Sequence, residues 1–237
     1  MPPLIFAHRA GATGAAENGL PAIRSARERG ADGVEIDVRC TRDGVAIVMH
    51  DLLPLRTARW PVPIRWMTAA GVARLRLTTG EHIPTLAQAY DAAPDGLAFA
   101  VELKEEGASR AVLDTTRSAG GRLDVSIWTD DEPVVRFFAR EAPDLEVVLM
   151  RNPEERGGIP AVMAAARDWG ARSVAVSPTH VGADLFDRAR DAGLLVYTGF
   201  HDRDQQRRIL ADSPPVAGFT TEWPEDARDQ IAHWVDR

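Results

Sequence analysis

The sequence is short of several things, and each shortage closes off a class of answer. Cys40 is its only cysteine, so no disulfide can form within the chain, and clustered Cys or His ligands for zinc are missing. No apolar run approaches the ~20 residues of a membrane span. The opening MPPLIFAHR has neither a basic leader nor an apolar stretch long enough for a secretory signal, so a cytoplasmic location is expected. Runs of basic residues are absent and the formal net charge is −7, which disfavours nucleic acid as a partner, since phosphate backbones are met by a basic face. No GxGxxG follows the first strand-like run, which weighs against a dinucleotide-binding sheet. Lysine is almost missing: of 28 basic residues, 27 are arginine, and the exception is Lys104. What remains, 237 residues with 45% hydrophobic composition, suits one sizeable core and a single domain over residues 1–237.

The informative stretch is Gly33 to Asp51, GVEIDVRCTRDGVAIVMHD. Glu35 and Asp37 stand two apart in a run of Val, Ile and Val; in a strand they share one face. Asp43-Gly44 is a turn signal and Val45–Met49 a second apolar run, so the chain doubles back and delivers His50-Asp51 near the two carboxylates.

Around this stretch a unit repeats. Leu4–Ala7 reads as a strand, followed by a glycine-rich loop and a helical pattern from Leu20 to about Gly30. After His50-Asp51 comes an irregular segment, Leu52–His82, which reads as an insertion with a short helical pattern at Thr68–Leu75. A helix then begins at Thr85, whose hydroxyl can cap it. Strand-like runs at 97–104, 123–130, 146–150, 173–177, 194–198 and 216–221 each precede an Ala- and Arg-rich helical pattern, the last over Pro224–Val235. With Leu4 and Gly33 this makes eight strand–helix units. Eight argue for closure into a (β/α)₈ TIM barrel with a small insertion after the second strand, rather than an open sheet.

In such a barrel, reactive groups stand at the carboxyl ends of the strands. His8 ends the first strand, Glu35 and Asp37 lie toward the end of the second, and Glu102 and Lys104 close the third on one face. Burying Glu35 beside Asp37 without a cation is very costly, and Glu102 repeats the anomaly in the neighbouring strand. Three hard oxygen donors point to Mg²⁺, Ca²⁺ or Mn²⁺ rather than zinc.

His8-Arg9, Glu17-Asn18, GADGVEIDVRCTRDGVAIVMHD, Ile83-Pro84-Thr85-Leu86 and VELK, in this order, resemble the motifs of the glycerophosphodiester phosphodiesterase family, most strongly over the first 104 residues. The resemblance implies a (β/α)₈ barrel and cleavage of a glycerophosphodiester to sn-glycerol 3-phosphate and an alcohol. It implies a metal held by Glu35, Asp37 and Glu102, acid–base work by His8 and His50, and phosphate contacts from Arg9 and Lys104. Glu17, Asn18 and Glu222 would line the pocket, Tyr197 would either wall it or simply fill the barrel, and the partner is a small molecule. The chain departs from the family in reading His8-Arg9-Ala10-Gly11 for His-Arg-Gly and Ala16-Glu17-Asn18-Gly19 for Pro-Glu-Asn-Thr. It also has Tyr197-Thr198 for Trp-Thr and Thr221-Glu222-Trp223-Pro224 for Thr-Asp-x-Pro.

The chemistry fits independently. Hydrolysis of a phosphodiester builds charge on oxygens, which a cation and fixed positive side chains stabilise, and two histidines can divide the proton transfers. Two other readings stand beside it: a Schiff-base aldolase using Lys104, and a barrel that binds a headgroup or sugar phosphate without turnover. Trp60 and Trp66 either line the mouth or pack the insertion. His82, His180, His201 and His233 show no partner in the sequence and read as structural.

Overall fold

The computed structural model describes residues 2–11, 17–155, 157–212 and 214–232; Ala16, His233 and the end of the expected last helix lie outside them. Nine strands are present among the described residues: β1 (Leu4–Ala7), β2 (Gly33–Cys40), β3 (Ala46–Val48), β4 (Ala98–Leu103), β5 (Val125–Thr129), β6 (Glu146–Met150), β7 (Ser173–Val176), β8 (Leu195–Phe200) and β9 (Gly218–Thr221). Eight of them run parallel in the order β1-β9-β8-β7-β6-β5-β4-β2, and β1 pairs with β2 as well as β9, so the sheet closes into a barrel. The ninth, β3, pairs antiparallel with β2 as the second arm of the expected hairpin. Gly44, at φ +79°, makes its turn and donates to the Thr41 carbonyl at 3.0 Å. The eight strand–helix units read from the sequence are thus the eight walls of a TIM barrel.

Two apolar layers follow from the alternation of side chains along each strand. Val34, Ile36 and Val38 of β2 point outward against the helices and are wholly buried there. Burial contributes roughly 1.5–3 kcal/mol for each such side chain, which helps offset the desolvation of the carboxylates that β2 turns inward. The interior is filled by a separate cluster of Phe6, Ala98, Ala100, Trp128, Val148, Ala175 and Tyr197. Gly33 is required where β1, β2 and β4 come closest, because a Cβ there would lie 2.6 Å from the Phe6 ring.

Between β3 and the helix Leu86–Asp91 lies the insertion, with short helices at Leu55–Ala58 and Ala69–Val72. Ile64, Val72 and Leu77 form a small core of their own with Ile47, Met49 and Ile83. Thr85 caps the next helix as its sequence predicts: Thr85 Oγ1 accepts from the Gln88 amide at 3.2 Å, and Gln88 Oε1 accepts from the Thr85 amide at 3.0 Å. Among the described residues no helix is long and apolar enough to cross a membrane.

Candidate active site

Strand register brings the acidic residues together. Glu35 and Asp37 project from β2 into the barrel, and Glu102 of β4 is the register partner of Asp37. Oxygens of the three carboxylates lie within 4.8 Å of one another. Glu35 is 2% exposed. One of its oxygens accepts from the Arg9 amide at 2.9 Å, and the other, Oε1, is buried with no hydrogen-bond partner among the described residues. Burial, reinforced by repulsion from Asp37 and Glu102, pushes the Glu35 carboxyl well above the ordinary glutamate range.

Asp37 is treated differently by its surroundings. Burial alone would raise it, but the Lys104 ammonium at 2.9 Å and the Asn18 amide at 2.8 Å outweigh burial and hold it low. Asn18 bonds twice, since its Oδ1 also accepts from the Asp37 backbone amide at 3.2 Å. It adopts φ +59°, a left-handed conformation that asparagine tolerates. Lys104 bridges Asp37 and Glu102. Burial alone would lower the ammonium pKa; Glu102 and Asp37 reverse that and hold it above the ordinary lysine value. A Schiff base requires the neutral amine, so this environment disfavours the aldolase reading.

Each expected histidine has a carboxylate partner on Nδ1. His8 follows β1 directly and its Nδ1 lies 2.7 Å from Glu222 Oε1, just past β9. The hydrogen bond from His8, more than any other influence, keeps Glu222 below the ordinary glutamate range. An ionised carboxylate only accepts, so Nδ1 of His8 is the donor in this bond and Nε2 is turned to the site, 3.9 Å from Glu35. His50 repeats the arrangement with Asp51, Nδ1 to Oδ1 at 2.8 Å. Burial would raise Asp51, but the bonds from His50 and Arg56 keep it low. The His50 carbonyl is clamped by the Arg39 guanidinium at 2.9 and 2.7 Å. Sequence alone could place these histidines near the acids but could not show that both are oriented in the same way.

Arg9 lies in a sharp turn after β1, where Arg9, Ala10 and Gly11 all have positive φ. Its guanidinium is held by carboxylates, 3.6 Å from Asp37 and 3.4 Å from Glu17. Glu17 also receives two bonds from Arg56, at 2.8 and 2.5 Å. Glu17 and Asn18 therefore stand as supports behind the site, not in its lining.

Above these groups opens a cleft of about 640 Å³ at the carboxyl ends of the strands, lined by His8, Glu35, Glu102 and Lys104 together with residues of β5 to β9. A family model described as the glycerophosphoryl diester phosphodiesterase family matches residues 8–221 of this sequence. A glycerophosphodiester phosphodiesterase of Caldanaerobacter subterraneus subsp. tengcongensis is 33% identical over 240 residues, covering 95% of this chain and 96% of that protein. The chain belongs to this family. Two solved structures share its fold. The glycerophosphodiester phosphodiesterase of Thermotoga maritima superposes with a TM-score of 0.78 at 24% identity, over 94% of this chain and 96% of that one. An Oleispira antarctica phosphodiesterase, solved with the product sn-glycerol-3-phosphate, superposes with a TM-score of 0.85 at 20% identity, over 97% of each chain.

The far wall of this phosphodiesterase's cleft holds what sequence reasoning missed. Asp130, Arg151, Ser177 and His201 each directly follow a barrel strand, β5, β6, β7 and β8, and each lines the cleft. A signal existed: the first residue after each strand is where a barrel presents its chemistry. Arg151 stacks on Trp169 at 4.3 Å. His201, read from sequence as structural, instead meets the His8 ring edge-on at 4.7 Å. Burial and the neighbouring His8 lower its pKa.

Tyr197 is the converse case. It is buried below the cleft and is not among its lining residues; its hydroxyl bonds to Glu146 at 3.1 and 3.2 Å. Alternate residues of a strand share a face, so Tyr197 and His201 both point inward, but four residues separate them by about 13 Å along the strand. The tyrosine fills the barrel and the histidine faces substrate space. Trp60 and Trp66 are exposed on the insertion and line neither the cleft nor the insertion's core.

Proposed function

We propose that this protein cleaves a glycerophosphodiester to sn-glycerol 3-phosphate and an alcohol, with a divalent cation, Mg²⁺, Ca²⁺ or Mn²⁺, held by Glu35, Asp37 and Glu102. The observation that carries the reading is the buried Glu35 Oε1, without a hydrogen-bond partner among the described residues, facing two further carboxylates. A hard cation relieves that arrangement, and an all-oxygen donor set is the one such cations take. When bound, the cation would stabilise charge developing on the phosphoryl oxygens.

The chain's own groups do the rest. His8, with its proton fixed on Nδ1 by Glu222, and His50, fixed by Asp51, each offer Nε2 for proton transfer. One takes a proton from the attacking hydroxyl or water, and the other, protonated, gives one to the departing alkoxide. Lys104 places a positive charge beside the phosphate, and Arg9 steadies Glu35 through its amide while its guanidinium faces Asp37. The product bound by the Oleispira phosphodiesterase supports sn-glycerol 3-phosphate as the product here.

The test is a panel of glycerophosphodiesters assayed with Mg²⁺, Ca²⁺ and Mn²⁺ by coupled detection of glycerol 3-phosphate. The expected result is metal-restored turnover after chelation. Full activity after exhaustive EDTA treatment would remove the metal from the reading, and binding of glycerophosphocholine without turnover under any metal would establish a binding barrel instead.

A further inference from the structure

The insertion divides its apolar residues in two. Ile64, Val72 and Leu77 are buried in its own small core, so it is a packed element. Leu52, Leu53, Leu55, Trp60 and Trp66 are nevertheless left outside, Leu55 at 55% and Trp66 at 63% exposure. With Leu195 they are the exposed large hydrophobic side chains of the described residues, and five of these six fall within fifteen positions of one another. Isolated surface leucines are ordinary, but a cluster of this kind marks an interaction site.

Charge narrows the partner. From Leu52 to Gly80 the chain carries five arginines, Arg56, Arg59, Arg65, Arg74 and Arg76, and neither aspartate nor glutamate, in a protein whose formal net charge is −7. Arg59 and Arg65 are exposed. The Arg65 guanidinium lies over the Trp66 ring, 5.7 Å from its centroid. Backbone bonds from Arg59 to Leu55 and from Trp60 to Pro54, of 3.0 and 3.3 Å, fold this segment into one short turn on which Leu55, Arg59 and Trp60 are all exposed.

The segment also has a fixed place. It begins directly after His50-Asp51, and Arg56 ties it to Asp51 at 3.0 Å and to Glu17 beside Arg9. The patch is therefore anchored beside His50-Asp51 and the Glu17 carboxylate that also holds Arg9.

We infer that the insertion docks this protein on an anionic phospholipid surface, with Trp60, Trp66 and the leucines entering the headgroup layer and Arg59 and Arg65 meeting lipid phosphates. Indoles favour the interface between water and lipid, leucine partitions below it, and arginine adds attraction to anionic lipids. A nucleic acid would use the arginines and tryptophans but would leave the three leucines in water. Docking builds on the proposed reaction by naming the form its substrate takes, a phosphodiester presented at a lipid surface beside His50.

Binding is read without turnover, by co-sedimentation of the full chain with vesicles of phosphatidylcholine alone and of phosphatidylcholine mixed equally with phosphatidylglycerol. Hydrolysis of soluble glycerophosphocholine is followed in parallel, so a failed reaction and a failed docking give separate results. Each basic residue near an anionic surface is worth about five-fold in partitioning. Wild type should sediment with the mixed vesicles. W60A/W66A and R59E/R65E should each lose at least ~10-fold of that binding while keeping turnover of the soluble substrate and the wild-type melting temperature. Failure of wild type to bind mixed vesicles overturns the inference, as does binding indifferent to both variants. Binding to heparin or single-stranded DNA that R59E/R65E abolishes and W60A/W66A spares assigns the patch to another polyanion. A dimer in solution that W60A/W66A dissociates, with no vesicle binding, assigns it to a second copy of the chain.

Discussion

Replacing Lys104 with arginine keeps the charge and changes only its shape, so it isolates what the ammonium does. Lys104 Nζ lies 2.9 Å from Asp37 and also engages Glu102, with the side chain 17% exposed. At an effective dielectric of ~20, a pair at such a separation carries about 5–6 kcal/mol of Coulomb attraction. Desolvation of the ammonium takes back several kcal/mol of this. An ammonium is a compact donor able to serve two carboxylates and an incoming phosphate, whereas a planar guanidinium prefers both oxygens of one carboxylate. In Lys104→Arg the fork should capture Glu102 and draw it from the shared site. The expected cost is about 1.4 kcal/mol of transition-state stabilisation or more, at least ~10-fold in kcat/KM, with the melting temperature nearly unchanged. The assay is steady-state hydrolysis of glycerophosphocholine across a metal titration. Wild-type kinetics at saturating metal would mean that the solitary lysine is an accident of composition, and its role would have to be abandoned.

Glu35→Gln should weaken metal binding, measured by calorimetric titration, yet raise the melting temperature of the metal-free protein at neutral pH by a few degrees, since ~1 kcal/mol is worth about 2–4 °C in a chain this size. The sign follows from a folded-state pKa raised above 4.5: as pH rises past that value the unfolded chain gives up a proton that the folded one keeps, so stability falls with pH in wild type and falls less in the variant. Equal slopes in calorimetry from acid to neutral pH would contradict this. Loss of the histidine that acts as general acid should spare p-nitrophenyl phosphodiesters relative to glycerophosphocholine, because nitrophenolate leaves without a proton; equal losses on both substrates in both His8→Ala and His50→Ala would refute a divided role. Glu222→Gln frees the His8 tautomer and should cost ~10-fold or more in kcat/KM with a displaced pH profile, whereas an unchanged profile would show that Glu222 does not orient His8.

The barrel was legible because its periodicity is regular: each buried parallel strand is a short apolar run and each helix an Ala/Arg pattern, so counting sufficed. The site was legible on one side only. Glu35, Asp37 and Glu102 betray themselves because a charge within an apolar strand is anomalous on sight, and Lys104, one residue past β4, because it is the only lysine. Asp130, Arg151, Ser177 and His201 lie one residue beyond their strands, where polar residues are expected anyway, so nothing in the local pattern separates a cleft wall from a loop. Tyr197 shows the opposite limit, since strand alternation gives the face of a residue but not its depth in the barrel. Glu222 could be matched to a motif, but its bond to His8 depends on β9 pairing with β1, a contact between strands more than 200 positions apart.

That contact sets when the site can exist. His8 leaves the ribosome 214 positions ahead of Glu222. Every carboxylate and the lysine around the proposed metal are made within the first 104 residues, yet His8 acquires its tautomer only after β9 has slid in beside β1 with Thr221 opposite Ala7. A nascent chain can thus assemble the acidic cradle long before it can transfer a proton through His8. Hydrolytic activity in this protein reports the final seam of the barrel, not the formation of the strands that carry most of the chemistry.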